Sequence, residues 1–303
     1  MLSYVSGNLF EAPVQTLVNT VNTVGVMGKG IALTFRQIYP EMFEVYRDIC
    51  EQGKLDIGTL YLYRDPDVNK LVLNFPTKKH WRNPSKLEYI EAGLRGFVRM
   101  YEQAGIHSIA FPPLGCGNGE LNFADVRPLM ERYLSPLPIR VLIYAPLPRN
   151  APPEHRSIEE MRRWLREQAP ELAFEEIWFD LSESLKEKVE LSTPTRSATF
   201  EAQMVDGGEA VRIWASRRMA RVERQVFYDL WRELRDLGFI TPASVPAGKD
   251  NIAPYILGVL NALPYVQPLP LGEDYNSFQH MPRRGLQLIR SSTHRVEQRA
   301  LSL

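Results

Sequence analysis

From Leu2 to Tyr144, short apolar runs alternate with longer stretches in which apolar positions recur at helical spacing. The runs Ser3–Val5, Thr16–Thr20, Thr59–Tyr63, Leu71–Phe75, Ser108–Phe111 and Arg140–Tyr144 predict strands. Helices are predicted over Ile31–Ile38, Glu41–Glu51, Lys86–Ala104 and Phe123–Leu134. In the third, Leu87, Ile90, Leu94, Phe97, Val98 and Tyr101 share one face, and Ser85 followed by Glu88 predicts a capping box. Strands alternating with helices predict an α/β layer fold.

Pro146, Pro148, Pro152 and Pro153 then interrupt regular structure and predict a boundary, with domains over 1–150 and 151–303. Beyond it, Ile158–Gln168 has helical spacing. Residues 171–190 carry seven carboxylates against two lysines. Ser216–Leu237 predicts one long helix with Met219, Val222, Val226, Leu230, Leu234 and Leu237 as its apolar stripe and Gly238 as the residue after its end. A short helix over Ile256–Leu260, a proline-rich segment over 264–272 and a tail complete a mainly helical, winged-helix-like half.

Composition narrows this picture by exclusion. The 36 basic and 36 acidic side chains balance, so bulk charge gives no case for a nucleic-acid or membrane partner. Cys50 and Cys116 stand far apart, without the clustered spacing of a zinc site or a disulfide scaffold. The first residues lack a signal-peptide pattern, and no apolar run approaches the ~20 residues that span a bilayer. A cytoplasmic protein is expected.

Two loops carry the candidate chemistry. The Thr16–Thr20 strand runs through Asn19 and Asn22 into Gly25-Val26-Met27-Gly28-Lys29-Gly30, immediately before a helix. Strand, glycine-rich loop and helix N-terminus together form a cradle of backbone N–H groups for phosphate, and asparagine side chains suit a ribose. The spacing is not that of a P-loop, which has four residues between its glycines and a hydroxyl after the lysine. The second loop, Pro112-Pro113-Leu114-Gly115-Cys116-Gly117-Asn118-Gly119, follows another strand and precedes another helix. Each loop alone also fits a tight turn without ligand, while two together suit a diphosphate held from both sides.

With Gly7-Asn8-Leu9-Phe10 after the first strand, these residues resemble the macrodomain family, the ADP-ribose-binding module, from Tyr4 to Tyr144. Asn74-Phe75-Pro76-Thr77-Lys78-Lys79-His80-Trp81-Arg82 is similar to the branch of terminal ADP-ribose glycohydrolases, and most of all to DarG-type antitoxins. The resemblance implies a three-layer α/β/α fold with a mixed sheet. It implies that Asn8 meets the adenine, with Tyr144 covering its face and Leu9 among the substrate-binding residues, although Tyr144 fits a core aromatic equally well. Asn22 would contact the distal ribose and Asn19 would be mainly structural. Gly28, Gly30, Gly115 and Gly117 would let the backbone approach the phosphates closely, with Gly25, Met27, Lys29, Cys116, Asn118 and Gly119 also binding the substrate.

Lys78 taken alone reads as a solvated loop lysine. Under the resemblance it is the nucleophile that attacks the anomeric carbon of the distal ribose, its neutral amine favoured by neighbouring cations. Protein-directed relatives carry an aspartate where this chain has Gly119, with Glu120 beside it, so the resemblance points to the DNA-directed branch and leaves the acid and base unassigned, with His80 a candidate proton donor. The implied reaction removes ADP-ribose from thymine in single-stranded DNA without metal or cofactor. Lys79, His80, Trp81 and Arg82 are then candidates for DNA contact, by phosphate pairing and base stacking. The C-terminal half would hold the ADP-ribosyltransferase toxin DarT, through the acidic run as a DNA-like surface or otherwise. Open alternatives are an ADP-ribose reader without turnover, and a glycohydrolase of protein-linked ADP-ribose whose second half binds DNA through Arg212, Arg217, Arg218, Arg221, Arg224, Arg232 and Arg235.

Overall fold

The structure, a computed structural model, describes residues 1–66, 70–146, 153–195, 198–215, 218–270 and 284–289. The chain divides into two compact units, Met1–Arg162 and Arg163–Leu303, a division that falls after the proline cluster rather than at it.

The first unit contains, in order, β1 (Leu2–Val5), β2 (Thr16–Val21), α1 (Gly30–Ile38), α2 (Pro40–Glu51), β3 (Tyr61–Arg64), β4 (Leu71–Pro76), α3 (Leu87–Met100), β5 (Ser108–Phe111), α4 (Phe123–Leu134) and β6 (Arg140–Tyr144). The strands form one sheet in the order β1-β6-β5-β2-β4-β3, parallel except for β3, which pairs antiparallel with β4. Helices cover both faces of it. Val18, Leu73, Phe75, Phe111 and Val141 pack against Ile90, Leu94, Phe97 and Met130 of α3 and α4. On the opposite face, Leu17, Val21 and Val72 pack with Phe35, Met42, Phe43 and Tyr46 of α1 and α2. A sheet buried on both faces needs nearly continuous apolar strands, and every residue of β4 is buried. Close approach of α3 depends on Gly93, where a Cβ would stand 2.2 Å from the Phe75 ring.

The capping box does not form. Helix α3 starts at Leu87 with Lys86 as an N-cap whose side chain makes no capping bond, while the Ser85 amide donates to the Gly119 carbonyl at 2.9 Å. Ser85 is drawn into the sheet-edge loops, not into the helix.

Helix α5 (Ile158–Glu167) spans the division. The second unit then holds α6 (Phe174–Ser184), β7 (Val189–Ser192), β8 (Thr199–Val205), β9 (Ala210–Ala215), β10 (Arg218–Glu223), α7 (Arg224–Leu237), β11 (Phe239–Ile240), α8 (Ala253–Leu260), β12 (Val266–Pro270) and β13 (Arg284–Leu288). Its strands make an antiparallel sheet, β10-β9-β8-β7, and a three-stranded sheet, β11-β13-β12, so strands are as prominent here as helices. The long helix expected from Ser216 starts only at Arg224. Arg218–Glu223 pairs instead with Ala210–Ala215 as an edge strand, on which Met219 is 68% exposed. Leu237, at the last turn of α7, is also exposed, whereas Val226, Leu230 and Leu234 are buried as the stripe requires. Gly238 ends the helix at φ +81°, a left-handed conformation that favours glycine. The proline-rich segment supplies strand β12, and the expected tail begins with strand β13; 290–303, Pro148, Pro152 and Arg217 lie outside the described residues.

The acidic run is not one solvent-facing surface. Glu176 and Asp180 are buried, and Asp180 accepts from Arg166 (3.2 and 3.0 Å) and from the Tyr265 hydroxyl (3.2 Å). Neither is the arginine-rich segment a uniform cation: Arg221 pairs with Asp206 and Glu223, Arg224 pairs with Glu175, and Arg235 is buried.

Candidate functional site

Parallel strands β6, β5, β2 and β4 end on the same edge of the sheet, and the loops that leave them enclose a cleft of about 540 Å³. Strand order sets the layout. Asn8 after β1 and Tyr144 at the end of β6 lie at one end, Pro112–Gly119 and Asn22–Gly30 face each other in the middle, and Lys78 after β4 lies at the other. Adjacent strands are about 4.8 Å apart, so β6 and β4 are separated by about 14 Å. The cleft is elongated.

The first loop is shaped by its asparagine. Asn22 Oδ1 accepts from the Val24 and Val26 amides (3.0 and 3.3 Å), and Nδ2 donates to the Val26 carbonyl at 2.6 Å. Gly25 turns at φ +79° and Gly30 at φ +60°. Lys29 is the N-cap residue of α1 but its side chain does not cap the helix, which leaves the first-turn amides to a ligand or water. A Cβ on Gly30 would stand 2.7 Å from Asn118 Nδ2, which brings the two loops into contact. In the second loop Gly115 turns at φ +69°, while a Cβ on Gly117 would meet nothing within 4 Å.

Lys78 is positioned by bonds on both sides. The Thr77 amide donates to the Val21 carbonyl (2.9 Å), and the amide and hydroxyl of Thr23 donate to the Lys79 carbonyl (3.2 and 2.8 Å). The lysine between them lines the cleft and is only 5% exposed. Its Nζ is buried in the cleft wall, where a deprotonated amine would be a nucleophile.

Residues 18–130 match the family model described as the Macro domain. The solved macrodomain of Mycobacterium tuberculosis DarG is 47% identical over 48% of this chain and 99% of that one, with a TM-score of 0.47. The N-terminal unit has the macrodomain fold. Among curated relatives, a "DNA ADP-ribosyl glycohydrolase" of Thermus aquaticus is 47% identical over 48% of this chain and 42% of its own length. A "DNA ADP-ribosyl transferase-DNA ADP-ribosyl glycohydrolase fusion protein" of Thermosipho africanus is 44% identical over 50% of this chain and 43% of its own. The chain thus spans less than half the length of the curated relatives it matches.

Of the expected binding residues, the macrodomain brings Asn8, Leu9, Asn22, Gly28, Lys29, Gly30, Gly115, Cys116, Gly117, Asn118, Gly119 and Tyr144 to the cleft with Lys78. Asn8 Oδ1 caps the turn Leu9–Glu11 by accepting from the Phe10 amide at 3.1 Å. Asn19, Gly25 and Met27 do not line the cleft. Asn19 is buried and donates to Asn74 Oδ1 at 2.9 Å, and Met27 packs in the core beneath the loop with Phe35 and Met42. Gly7, Phe10, Thr77, Pro112 and Pro113, quoted in the motifs but given no ligand role, also line it, as does Ala32, which the sequence reading passed over. Thr77, Pro112 and Pro113 directly follow strand ends and could have been taken from that position alone; Ala32 carries no such mark.

The basic-aromatic stretch is different from expectation. None of Lys79, His80, Trp81 and Arg82 lines the cleft. Trp81 is 0% exposed and offers no face to a base. The Arg82 guanidinium lies over its ring at 4.4 Å, and the Arg82 amide donates to His80 Nδ1 at 3.1 Å. The packing that buries the indole turns this stretch into a support for the Lys78 loop, with Lys79 alone exposed. His80 is pushed down to about 4 by burial first, then by the charges of Arg82 and Lys78, so it is neutral at physiological pH and unsuited to act there as a cationic proton donor.

That shift carries a sign for stability. Below the ordinary histidine value of 6.5 the unfolded chain takes up a proton that the folded site refuses, so stability is full above about pH 6.5 and falls as pH drops toward 4. Between pH 7.5 and 4.5 the contribution lost amounts to about 2–3 kcal/mol. Denaturant midpoints across this range are expected to fall more steeply for the native chain than for His80→Gln.

Two lysines, Lys29 and Lys78, are the charged residues lining the cleft, and among the described residues no carboxylate does so. Glu120, at φ +62°, is held by His155 (2.6 Å) and Arg156 (2.7 Å). Among the described residues no group of three His, Cys, Asp or Glu side chains is placed to hold a metal ion, and no helix is long and apolar enough to cross a membrane.

Proposed function

We propose that the N-terminal unit binds ADP-ribose along the cleft and hydrolyses the N-glycosidic bond that joins it to thymine in single-stranded DNA. The observation that carries this reading is a buried lysine at one end of an elongated cleft that, among the described residues, no carboxylate lines. Adenine enters beside Asn8, Leu9 and Tyr144, the diphosphate lies between the facing loops at the N-terminus of α1, and the distal ribose reaches Asn22 and Lys78. Lys78, in its deprotonated form, attacks the anomeric carbon through Nζ. A bond forms from Nζ to that carbon as the glycosidic C–N bond breaks, and the electron pair leaves on the thymine ring nitrogen, where the flanking carbonyls delocalise it. The protonated amine returns its proton to thymine, and water then releases the ribose from the lysine. Such a leaving group makes a weak demand on a general acid, in keeping with a cleft lined by lysines. The names of the Thermus and Thermosipho relatives support the DNA substrate.

The C-terminal unit holds the ADP-ribosyltransferase toxin DarT. Support comes from the Thermosipho relative, whose name joins transferase and glycohydrolase in one chain, and from the arginine-rich segment, where pairing of Arg221 and Arg224 to carboxylates weakens the case for DNA. Tight binding of the full chain to DarT with little salt dependence is expected; strong salt-dependent DNA binding by residues 163–303 in the full chain would favour the opposite assignment.

The proposal is tested by parallel incubation with ADP-ribosylated single-stranded DNA and with ADP-ribosyl-glutamate protein. Release from the DNA and not from the protein is expected. Binding of ADP-ribose without release from either would leave a reader. Gly117→Ala provides an independent check, because its methyl group projects into open cleft. The variant is expected to fold normally and to bind ADP-ribose roughly ten- to a hundred-fold more weakly by calorimetry, the range of overpacking energies.

A further inference from the structure

Tyr46 belongs to α2 and does not line the cleft, yet its hydroxyl ends directly beneath the first loop. The side chain is completely buried. Its hydroxyl donates to the Asn22 backbone carbonyl at 2.8 Å and lies 3.1 Å from Asn22 Oδ1. Asn22 Oδ1 is also the atom that gathers the Val24 and Val26 amides, so one buried phenol closes the polar net that shapes residues 22–26. The same stretch is tied on its other side to the Lys78 loop, through Thr77 to Val21 and Thr23 to Lys79. Phenylalanine would fill this apolar site equally well, next to Met42 and Phe43, without the cost of burying a hydroxyl.

We infer that Tyr46 is a positioning residue for the reacting end of the cleft, holding Asn22 and its turn in register with Lys78 without touching the ligand. The inference rests on the reading that the cleft takes ADP-ribose. It centres the effect of Tyr46 on the ribose nearest Lys78, because Tyr46 shapes residues 22–26 while the diphosphate lies against Gly28–Gly30 and the second loop.

Calorimetric titration of the full chain and of Tyr46→Phe with ADP-ribose and with ADP, which lacks the second ribose, tests this. Tyr46→Phe is expected to bind ADP-ribose about three- to ten-fold more weakly, the range of one lost hydrogen bond, and ADP unchanged. Equal losses for both ligands would show general loosening, and no loss for either would show no role; each overturns the inference. Amide hydrogen exchange of the ligand-free protein is a second measurement. Faster exchange at Val24 and Val26 with α2 unchanged is expected, and unchanged exchange at those amides overturns the positioning role. Failure of the native chain to bind ADP-ribose would remove the underlying reading, and would be seen before any variant is compared.

Discussion

Lys78→Ala is expected to retain ADP-ribose binding while losing release from ADP-ribosylated DNA by about a thousand-fold or more, the scale of a group that takes part in bond making. Retention follows from the layout. The adenine and diphosphate regions are built by residues several strands away, and the backbone bonds from Thr77 to Val21 and from Thr23 to Lys79 do not involve the lysine side chain. Calorimetry and single-turnover release on the same preparation separate the two effects. Native-like release from the variant would remove Lys78 from the mechanism, and loss of both binding and release would make it a binding residue only.

Gly119→Asp is the second large effect, and it runs against intuition. Placing a carboxylate near the lysine looks like a route toward cleavage of protein-linked ADP-ribose. The structure has no room for it. A Cβ at residue 119 would stand 2.2 Å from Ser85 Oγ and 2.4 Å from the Gly115 carbonyl, far inside contact distance. Both neighbours are committed: the Ser85 amide donates to the Gly119 carbonyl, and the Gly115 carbonyl accepts from Leu121 at 3.0 Å. The second loop must open to admit any side chain. The variant is expected to lose about 2–3 kcal/mol of stability by denaturation and most of its ADP-ribose affinity, with no gain of activity on ADP-ribosyl-glutamate protein. A stable variant that binds normally would show that the loop yields more easily than this packing allows.

Much of the first unit was legible because its signals are local. Val18 to Gly30 passes from a doubly buried strand to a glycine-rich turn to a helix N-terminus, and each step has its own residue chemistry. What escaped depends on distant partners. Ser85 and Glu88 have the spacing of a capping box, yet the Gly119 carbonyl claims the Ser85 amide. Trp81 beside Lys79 and Arg82 has the composition of a nucleic-acid patch, but packing closes over the indole. Tyr46 reads as one more core aromatic of α2, and only the fold shows where its hydroxyl points.

The second unit was read less well for a different reason. Met219 and Val222 fit the apolar stripe of the helix that follows, so periodicity alone merges strand and helix; pairing with Ala210–Ala215 decides between them. Asp180 sits in an acidic run whose average suggests a solvated face, and Arg166 and Tyr265 draw it inside.

The central claim is turnover of a DNA-linked substrate, and the most direct measurement is the time course of free ADP-ribose from ADP-ribosylated single-stranded DNA in excess over the full chain. Release that exceeds one equivalent per protein and leaves unmodified thymine in the DNA is the predicted result. ADP-ribose that stays on the DNA while the protein binds free ADP-ribose tightly would contradict it.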